Sequence, residues 1–247
     1  MESISIAVEN VTVTYHDRVA LYHASLQIRS GIICGLVGMN GAGKSTLFKA
    51  IMGFVQPVQG RVLVQGLPVR QAQKRHLIAY VPQAEEVDWQ FPVTVFDVVM
   101  MGRYGYMPWL RIPSRIDYEL VKSALLQVEM WELRERPIGE LSGGQRKRVF
   151  LGRALAQQAQ IFLLDEPFAG VDITTERLII DRLLQLRAQG HTILISTHDL
   201  TSIKTFCDQV VLINRSILAY GDTETVFTPE NLCRTFGNHF CQRSQGE

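Results

Sequence analysis

The stretch GMNGAGKS at residues 38–45 decides the fold of this chain. It fits the pattern G-x-x-x-x-G-K-[ST], in which backbone N–H groups of a glycine-rich loop surround a phosphate. The apolar run at 31–37 before it is typical of a buried parallel strand, and a helix is predicted over 43–52 after it. A strand, this loop and a helix in that order predict a site for the phosphates of a nucleoside triphosphate. The alternative is a glycine-rich turn that carries a surface lysine.

Each part of the loop has a predicted task. The lysine side chain of Lys44 reaches the β- and γ-phosphates, and the hydroxyl of Ser45 ligates Mg²⁺. The positive end of the following helix dipole adds to the attraction for the anion. The residues of this segment predicted to contact the nucleotide are Gly38, Asn40, Gly41, Ala42, Gly43, Lys44, Ser45 and Thr46.

Two adjacent carboxylates, Asp165 and Glu166, follow the apolar run at 161–164. Packing alone rarely places two carboxylates at the end of a buried strand, because burying an unpaired charge is costly. Beside the phosphate loop, Asp165 is predicted to hold Mg²⁺ through water. Glu166 is predicted to orient or deprotonate the attacking water. The alternative is an exposed acidic turn before Pro167.

The pentapeptide LSGGQ at residues 141–145 predicts a second anion-binding helix end. Ser142 is a suitable N-cap, and Gly143 and Gly144 leave backbone N–H groups accessible at the start of a helix predicted over 143–157. One chain with two phosphate-binding devices suggests that two chains share each nucleotide. Taken alone, Ser-Gly-Gly is more typical of a simple loop.

In this order, the three segments resemble those of the ATP-binding cassette (ABC) ATPases, and the resemblance covers nearly the whole chain. It implies an α/β fold with a P-loop NTPase core of ABC type: a mostly parallel sheet flanked by helices, an N-terminal antiparallel β subdomain and an inserted α-helical subdomain. It implies ATP and Mg²⁺ as cofactors and hydrolysis of ATP. It also implies a head-to-tail pair of copies, in which Ser142, Gly143, Gly144 and Gln145 of one copy close over the phosphate loop of the other.

The resemblance implies functional roles for four further residues. Tyr15 resembles the aromatic residue that stacks on adenine, and Gln83 the glutamine that senses Mg²⁺ and the γ-phosphate while linking to the transmembrane partner. Asp172 ends the loop that signals across the dimer, although the stretch FAGVD at 168–172 departs from the commoner Ser-x-Leu-Asp form. His198 resembles the histidine that contacts the γ-phosphate. Without the resemblance, His198 would be interpreted as a polar loop residue and Tyr15 as an aromatic residue of a strand. The implied catalytic set is Glu166, His198, Lys44 and Gln83, and the implied Mg²⁺ set is Ser45, Gln83 and Asp165.

Alternating strands and helices outline one nucleotide-binding domain over 1–247. Residues 1–83 and 159–236 are predicted to form the α/β core, 84–158 the helical subdomain with the signature pentapeptide, and 237–247 a polar tail. Strands are predicted over 4–13, 20–28, 61–64, 77–81, 161–164, 192–196 and 210–213. Further helices are predicted over 95–101, 118–128, 175–188 and 200–206.

The composition favours an ordinary globular protein, and the net charge of +1 gives no electrostatic case for nucleic-acid or membrane-surface binding. The basic run Arg146-Lys147-Arg148 is interpreted as a solvated helix face. No apolar run approaches the ~18–20 residues of a membrane span, and no signal peptide is evident. The cysteines are expected to be reduced thiols, with a metal site at Cys233, His239 and Cys241 as the alternative.

The segments VDWQFPVTVFDVVMMGRYG at 87–105 and RIPSRID at 111–117 resemble those of ATPases from bacterial manganese, iron and zinc importers. The resemblance implies integral membrane permease subunits as partners, a metal-binding protein as an indirect partner, no nucleic acid, and a peripheral location on the cytoplasmic face of the inner membrane. Phe91, Val93, Met100 and Met101 are the predicted docking surface. The alternatives are an ATPase of a siderophore, haem or cobalamin importer, and a soluble ABC ATPase such as one for iron–sulfur assembly.

Overall fold

The computed structural model describes residues 3–83 and 92–237, which form two β-sheets and a group of helices. In chain order the strands are β1 (Ile4–Tyr15), β2 (Arg18–Arg29), β3 (Ile33–Val37), β4 (Gln59–Val64), β5 (Leu67–Pro68), β6 (Ile78–Val81), β7 (Ile161–Asp165), β8 (Thr192–Thr197), β9 (Gln209–Asn214) and β10 (Ser216–Asp222). The helices are α1 (Lys44–Ile51), α2 (Val69–Lys74), α3 (Val95–Met100), α4 (Arg115–Gln127), α5 (Gly143–Ala156), α6 (Ile173–Ala188), α7 (Leu200–Phe206), α8 (Thr223–Val226) and α9 (Pro229–Phe236).

The larger sheet carries the site and has the strand order β10-β9-β3-β8-β7-β6. Its strands from β9 to β6 pair in parallel, and β10 pairs antiparallel with β9 at one edge. The smaller sheet is antiparallel, with the order β2-β1-β4-β5. This is the ABC ATPase fold that the sequence predicts.

Both faces of the larger sheet are covered, which explains the continuous apolar runs of its central strands. Alternate residues of β7 point to opposite faces: Phe162 and Leu164 enter one core, and Ile161 and Leu163 enter the other. The first core contains α3, α4, α5 and α6, whereas the second contains α1 and the antiparallel sheet. The sheet is therefore the layer that holds the two halves together.

The helices between β6 and β7 are joined by a buried ion pair. The guanidinium Nε of Arg103, in a 3-10 helix at Met101–Tyr106, lies 2.9 Å from Asp117 Oδ1. Its Nη1 donates to the carbonyl of Ala156 at the end of α5, at 3.0 Å. Asp117 also completes a capping box with Ser114. The same carboxylate thus starts α4 and ties it, through Arg103, to the end of α5.

The predicted long elements are present, with small changes at their ends. Helix α4 begins at Arg115 rather than 118, because the Ser114 capping box starts it earlier. The elements β5, α2, β10, α8 and α9 were not predicted; each is eight residues long or shorter, and the periodicity of so short a segment does not separate helix, strand and loop. The expectation of reduced thiols holds for Cys34 and Cys207, but Cys233 is disulfide-bonded.

The predicted docking surface needs a correction. Met100 is 5% exposed and belongs to the core between α3, α4 and α5. Val93 packs against the same core, Met101 is 38% exposed, and Phe91 lies outside the described residues. Met100 lies on the same face of α3 as Phe96, four residues earlier, which also packs against this core. Met101 follows the end of α3 and begins the 3-10 helix, where its side chain is partly exposed.

Met100→Glu is therefore expected to destabilise the whole domain. An unpaired carboxylate in this core should cost about 3 kcal/mol or more of unfolding free energy, against less than about 1 kcal/mol for Met101→Glu at the exposed neighbouring site. Urea denaturation followed by circular dichroism would measure both values. Equal stability of the two variants would contradict the buried position of Met100.

Candidate nucleotide-binding and hydrolysis site

A cavity of about 330 Å³ opens at the carboxyl ends of the parallel strands. Ligand sites in open α/β sheets lie at this edge. The residues that line the cavity are Ala20, Met39, Asn40, Gly41, Gly43, Lys44, Ser45, Thr46, Gln83 and Glu166. Most of the predicted phosphate loop, including the predicted catalytic residue Lys44, therefore surrounds one cavity together with Gln83 and Glu166.

The loop between β3 and α1 requires glycine at two positions for different reasons. A Cβ at Gly38 would lie 2.3 Å from the carbonyl oxygen of Ile213 in β9. Gly43 has a φ of 99°, and a Cβ there would lie 2.9 Å from the carbonyl oxygen of Ala20. The first helical bond of α1 runs from Leu47 N to Gly43 O. The N–H groups of residues 44–46 precede that bond, and such groups lack intrahelical partners and suit an anion.

Lys44 is buried inside its own loop, at 6% exposure. Its Nζ donates to the carbonyl oxygens of Gly38 at 2.8 Å and Met39 at 3.2 Å, and lies 3.9 Å from Glu166 Oε1. Burial lowers the pKa of Lys44, and the carboxylates of Glu166 and Asp165 oppose that shift. The ammonium is thus held within reach of the cavity by loop carbonyls.

Ser45 and Asp165 meet across the start of α1 and the end of β7. The hydroxyl of Ser45 donates to Asp165 Oδ2 at 2.9 Å. Asp165 is 3% exposed, and its Oδ1 accepts a hydrogen bond from the hydroxyl of Ser196 in β8. A hydroxyl and a carboxylate are oxygen donors of the kind that Mg²⁺ prefers.

Glu166 is the residue on which the predicted catalytic side chains converge. Gln83 Nε2 donates to Glu166 Oε2 at 2.7 Å, and His198 Nδ1 lies 3.7 Å from the same oxygen. These three residues follow β6, β7 and β8, which are neighbours in the sheet. Glu166 is 8% exposed and its φ is 48°, an uncommon conformation for a residue with a side chain. Its N–H donates to the carbonyl oxygen and the hydroxyl of Ser196 at 3.1 and 3.0 Å.

The signature pentapeptide forms the start of α5. Ser142 is the N-cap and shares a capping box with Gln145. Among residues 3–83 and 92–237, a Cβ on Gly143 would meet nothing within 4 Å, whereas one on Gly144 would lie 3.1 Å from Thr175 Oγ1 and 3.4 Å from Asp172 Oδ2. The pentapeptide therefore has one open side and one side packed against α6.

Asp172 is the N-cap of α6 and is exposed. Its carboxylate accepts hydrogen bonds from the N–H of Thr175 at 2.9 Å and from the hydroxyl of Thr175 at 3.0 Å. These bonds lower the pKa of Asp172. The residue predicted to signal across a dimer thus begins a helix directly beside the signature.

Some predicted nucleotide contacts lie away from the lining of the cavity. Tyr15 stands at the end of β1, 40% exposed. The residues outside the lining are Tyr15, Gly38, Ala42, Ser142, Gly143, Gly144, Gln145, Asp165, Asp172 and His198. The roles of these residues and of the lining residues toward the nucleotide stay predictions.

Two contact residues were missed at the level of sequence. Ser196 bonds both Asp165 and the N–H of Glu166. Lys147, expected on a solvated helix face, is half-buried and donates to the carbonyl oxygens of Gln83 and Glu166. A serine near the end of a strand, such as Ser196, is only a weak sequence signal for a contact with the carboxylates. A lysine within a basic run, such as Lys147, gives no signal that it contacts the site.

A family model described as ABC transporter matches residues 21–169, a range that contains the phosphate loop, the signature and Glu166. The chain belongs to the ABC transporter family. Within that family, it is 62% identical over 238 residues to the "Manganese transport system ATP-binding protein MntA" of Synechocystis sp., covering 96% of this chain and 92% of the relative.

The chain is also similar in sequence and in structure to other members of the ABC transporter family. The chain is 58% identical over 233 residues to the "Chelated iron transport system membrane protein YfeB" of Yersinia pestis, covering 94% of this chain and 79% of the relative. A solved structure of a nucleotide-free ATP-binding cassette from an ABC transporter superposes with a TM-score of 0.83 at 26% identity, covering 95% of this chain and all of that one.

In the described part of the chain, no helix combines the length and the apolar composition that crossing a bilayer requires. Nor do residues 3–83 and 92–237 contain a group of three or more His, Cys, Asp or Glu side chains placed to hold a metal ion. The alternative metal site at Cys233 includes His239 and Cys241, which lie outside the described residues.

Gly144→Ala is expected to lower stability relative to Gly143→Ala. The methyl group at residue 144 would push on the Thr175 hydroxyl and disturb the cap of α6, at a cost of about 1 kcal/mol. The methyl group at residue 143 would enter open space. Thermal unfolding of the two variants would measure the difference, and an equal melting temperature would contradict the packing of Gly144 against α6.

Proposed function

We propose that this chain is the ATP-hydrolysing subunit that powers import of a divalent metal ion through separate membrane permease subunits, with a metal-binding protein as the donor. Manganese or iron is the proposed ion, with zinc as a further choice. The observation that carries the hydrolytic part is the convergence of Gln83 and His198 on the Glu166 carboxylate beside Lys44.

In this proposal Glu166 is the general base for the attacking water. Its carboxylate faces the phosphate-loop cavity, as a base that activates a water beside the γ-phosphate must do. Gln83 and His198 orient that carboxylate and contact the γ-phosphate. Lys44 exchanges its loop carbonyls for the β- and γ-phosphate oxygens when ATP enters, which restores the charge balance of a buried ammonium.

The chemistry of Ser45 and Asp165 fits Mg²⁺. Their oxygens already lie 2.9 Å apart through a hydrogen bond, and Asp165 is a buried carboxylate beside the phosphate loop. Ser45, Asp165 and Gln83 are the residues proposed to hold the ion, directly or through water. Bound Mg²⁺ neutralises the charge that develops on the phosphate oxygens.

We propose that two copies pair head to tail around ATP. The open side of the signature supports this arrangement, because a Cβ added at Gly143 would lie more than 4 Å from the rest of the described residues outside its own helix. A helix N-terminus with accessible N–H groups suits a phosphate that the same chain does not supply. Tyr15 would stack on adenine, and Asp172 would sense the partner.

The proposed division of the domain is a core of 1–83 and 159–236, a helical subdomain of 84–158 and a tail of 237–247. In this division the signature belongs to the helical subdomain.

The metal-importer assignment is supported by the similarity to the manganese and chelated-iron transport proteins. The same similarity supports the proposal of membrane permease partners and of a peripheral position at the cytoplasmic face of the membrane. An ATPase of a siderophore, haem or cobalamin importer is the alternative within transport, and a soluble iron–sulfur assembly ATPase is the alternative outside it. The transported ion would not touch this subunit, so its own residues do not choose between metals.

A groove of about 550 Å³ is the proposed docking place for the permease. It lies between the strand β6 on one side and the 3-10 helix and the end of α5 on the other. Exposed Phe54 and Met101 lie on its two sides, and Pro82 connects it directly to Gln83. A partner in this groove would therefore touch the segment that carries the glutamine of the site.

Glu166→Gln is expected to bind ATP but to stall hydrolysis, because the amide has the shape of the carboxylate yet cannot act as a base. Loss of a general base costs about 10²–10⁴-fold in rate. Steady-state phosphate release and equilibrium ATP binding would separate the two effects. The stalled variant should also accumulate as a dimer with ATP, measured by light scattering.

Lys44→Ala is the matched comparison for that experiment, since it removes a phosphate-binding charge and should lose ATP binding as well as hydrolysis. Near-normal turnover by Glu166→Gln would remove this residue from the mechanism. Failure of two copies to pair, even with the permease subunits present, would overturn the head-to-tail arrangement.

Met101→Glu is expected to leave ATP binding intact and to lower metal uptake at least about tenfold, because an unpaired charge in an apolar interface costs a few kcal/mol. Uptake of radioactive manganese by cells that carry the variant in place of the wild-type gene is the measurement. Copurification with the permease should fall in parallel.

Tyr220→Glu provides the control for this experiment. Tyr220 is 44% exposed on β10, at the opposite edge of the six-stranded sheet from β6. The Tyr220→Glu variant should therefore keep full metal uptake. Full uptake by a stable Met101→Glu protein would exclude Met101 as a docking contact, and unchanged metal uptake after deletion of the gene would overturn the importer assignment.

A further inference from the structure

Lys147 joins the signature helix to the backbone beneath the catalytic carboxylate. Its Nζ donates to the carbonyl oxygen of Gln83 and to that of Glu166, each at 3.2 Å. Gln83 follows β6 and Glu166 follows β7, so one ammonium spans the ends of two neighbouring strands. Hydrogen bonds from a charged donor are stronger than those between neutral groups. We call this pair of bonds the lysine clamp.

The clamp acts on a residue whose backbone needs outside support. A left-handed conformation at a residue with a side chain is strained and persists only when surrounding contacts impose it. At Glu166 the N–H is held by Ser196, and the carbonyl oxygen accepts from Ala169 N at 3.2 Å as well as from Lys147. Removing the lysine would take away the contact that ties this peptide to α5.

The clamp also fixes the distance between two residues whose side chains meet. Gln83 Nε2 and Glu166 Oε2 are 2.7 Å apart, and the carbonyls of the same two residues share Lys147. Side chains and backbones are therefore connected in one closed ring of contacts. A carboxylate that must face a water beside the phosphate depends on such support, because a displacement of about 1 Å can cost about 100-fold in rate.

We propose that Lys147 is a positioning residue for ATP hydrolysis, which holds Glu166 and Gln83 in register and fastens α5 to the catalytic edge of the sheet. This inference rests on the proposed hydrolytic function. Lys147 lies on α5, the helix whose first residues carry the signature. A movement of the signature would therefore be transmitted to the catalytic carboxylate by this side chain.

Lys147→Met is the decisive variant, because it keeps the length of the side chain and removes its charge and its donors. We expect kcat for ATP hydrolysis by the full chain to fall about 10- to 100-fold. KM for ATP should change less than about threefold, since the phosphate loop keeps its own contacts. Lys147→Arg, which restores a charged donor, should recover most of the wild-type rate.

Arg148→Met is the matched control on the same helix. Arg148 Nη1 contacts the carbonyl oxygen of Val128 at 3.5 Å and the carboxylate of Glu129 at 3.4 Å, within the helical group and away from the sheet edge. It should lower stability without lowering kcat selectively. Melting temperatures of all three variants would show that Lys147→Met is folded.

Amide hydrogen exchange supplies a readout that needs no hydrolysis. The Glu166 N–H is bonded to Ser196, and its exchange should accelerate at least about tenfold in Lys147→Met but not in Lys147→Arg or Arg148→Met. Wild-type kcat in Lys147→Met, unchanged exchange at Glu166, or a loss confined to KM would each overturn the inference. A wild-type chain that binds ATP without hydrolysing it would instead overturn the proposed function, and exchange at Glu166 would still decide whether the clamp holds that residue.

Discussion

The register between β7 and β8 is the constraint on which the site depends. It places Asp165 opposite Ser196. The buried hydroxyl of Ser196 donates to Asp165 and accepts from the N–H of Glu166, so one serine fixes both carboxylate residues. A shift of one residue in this pairing would turn every side chain of the strand to the other face. Such a shift would exchange Phe162 and Leu164 with Ile161 and Leu163 between the two cores, and close packing opposes that change of side-chain volume and shape.

Parallel pairing then determines where the polar residues gather. Because β6, β7 and β8 run in the same direction, the residues that follow them emerge at one edge. Gln83, Glu166 and His198 come from distant parts of the chain and meet there within hydrogen-bonding or ion-pair distance. The phosphate loop follows β3 at the same edge, which brings Lys44 to the same carboxylate. The chemistry is thus a consequence of sheet direction as much as of the individual residues.

The helical group has a matching role, because it presents α5 to that edge. The buried pair of Arg103 and Asp117 connects the 3-10 helix, the start of α4 and the end of α5. At the other end of α5, Gly144 packs against the N-terminus of α6, and Lys147 reaches the edge of the sheet that carries Glu166. One side of the proposed docking groove is formed by the end of α5, and the proposed partner-facing signature lies at the start of the same helix. Helix α5 therefore offers a physical route between transport and hydrolysis.

The sequence by itself determined the local structure of the site. It predicted the strand, loop and helix around residues 38–45, the acidic end of β7, and the start of α5 at Ser142. These depend on short-range rules of turn geometry and capping, so a few adjacent residues suffice to predict them. Only the tertiary structure decided that Gln83 contacts Glu166 and that Met100 is buried while Met101 is partly exposed. It also decided that Lys147, predicted to lie on a solvated helix face, hydrogen-bonds the backbone of Glu166. These contacts join residues far apart in the chain, and no local pattern reports which of two neighbouring side chains will face a surface formed by another element.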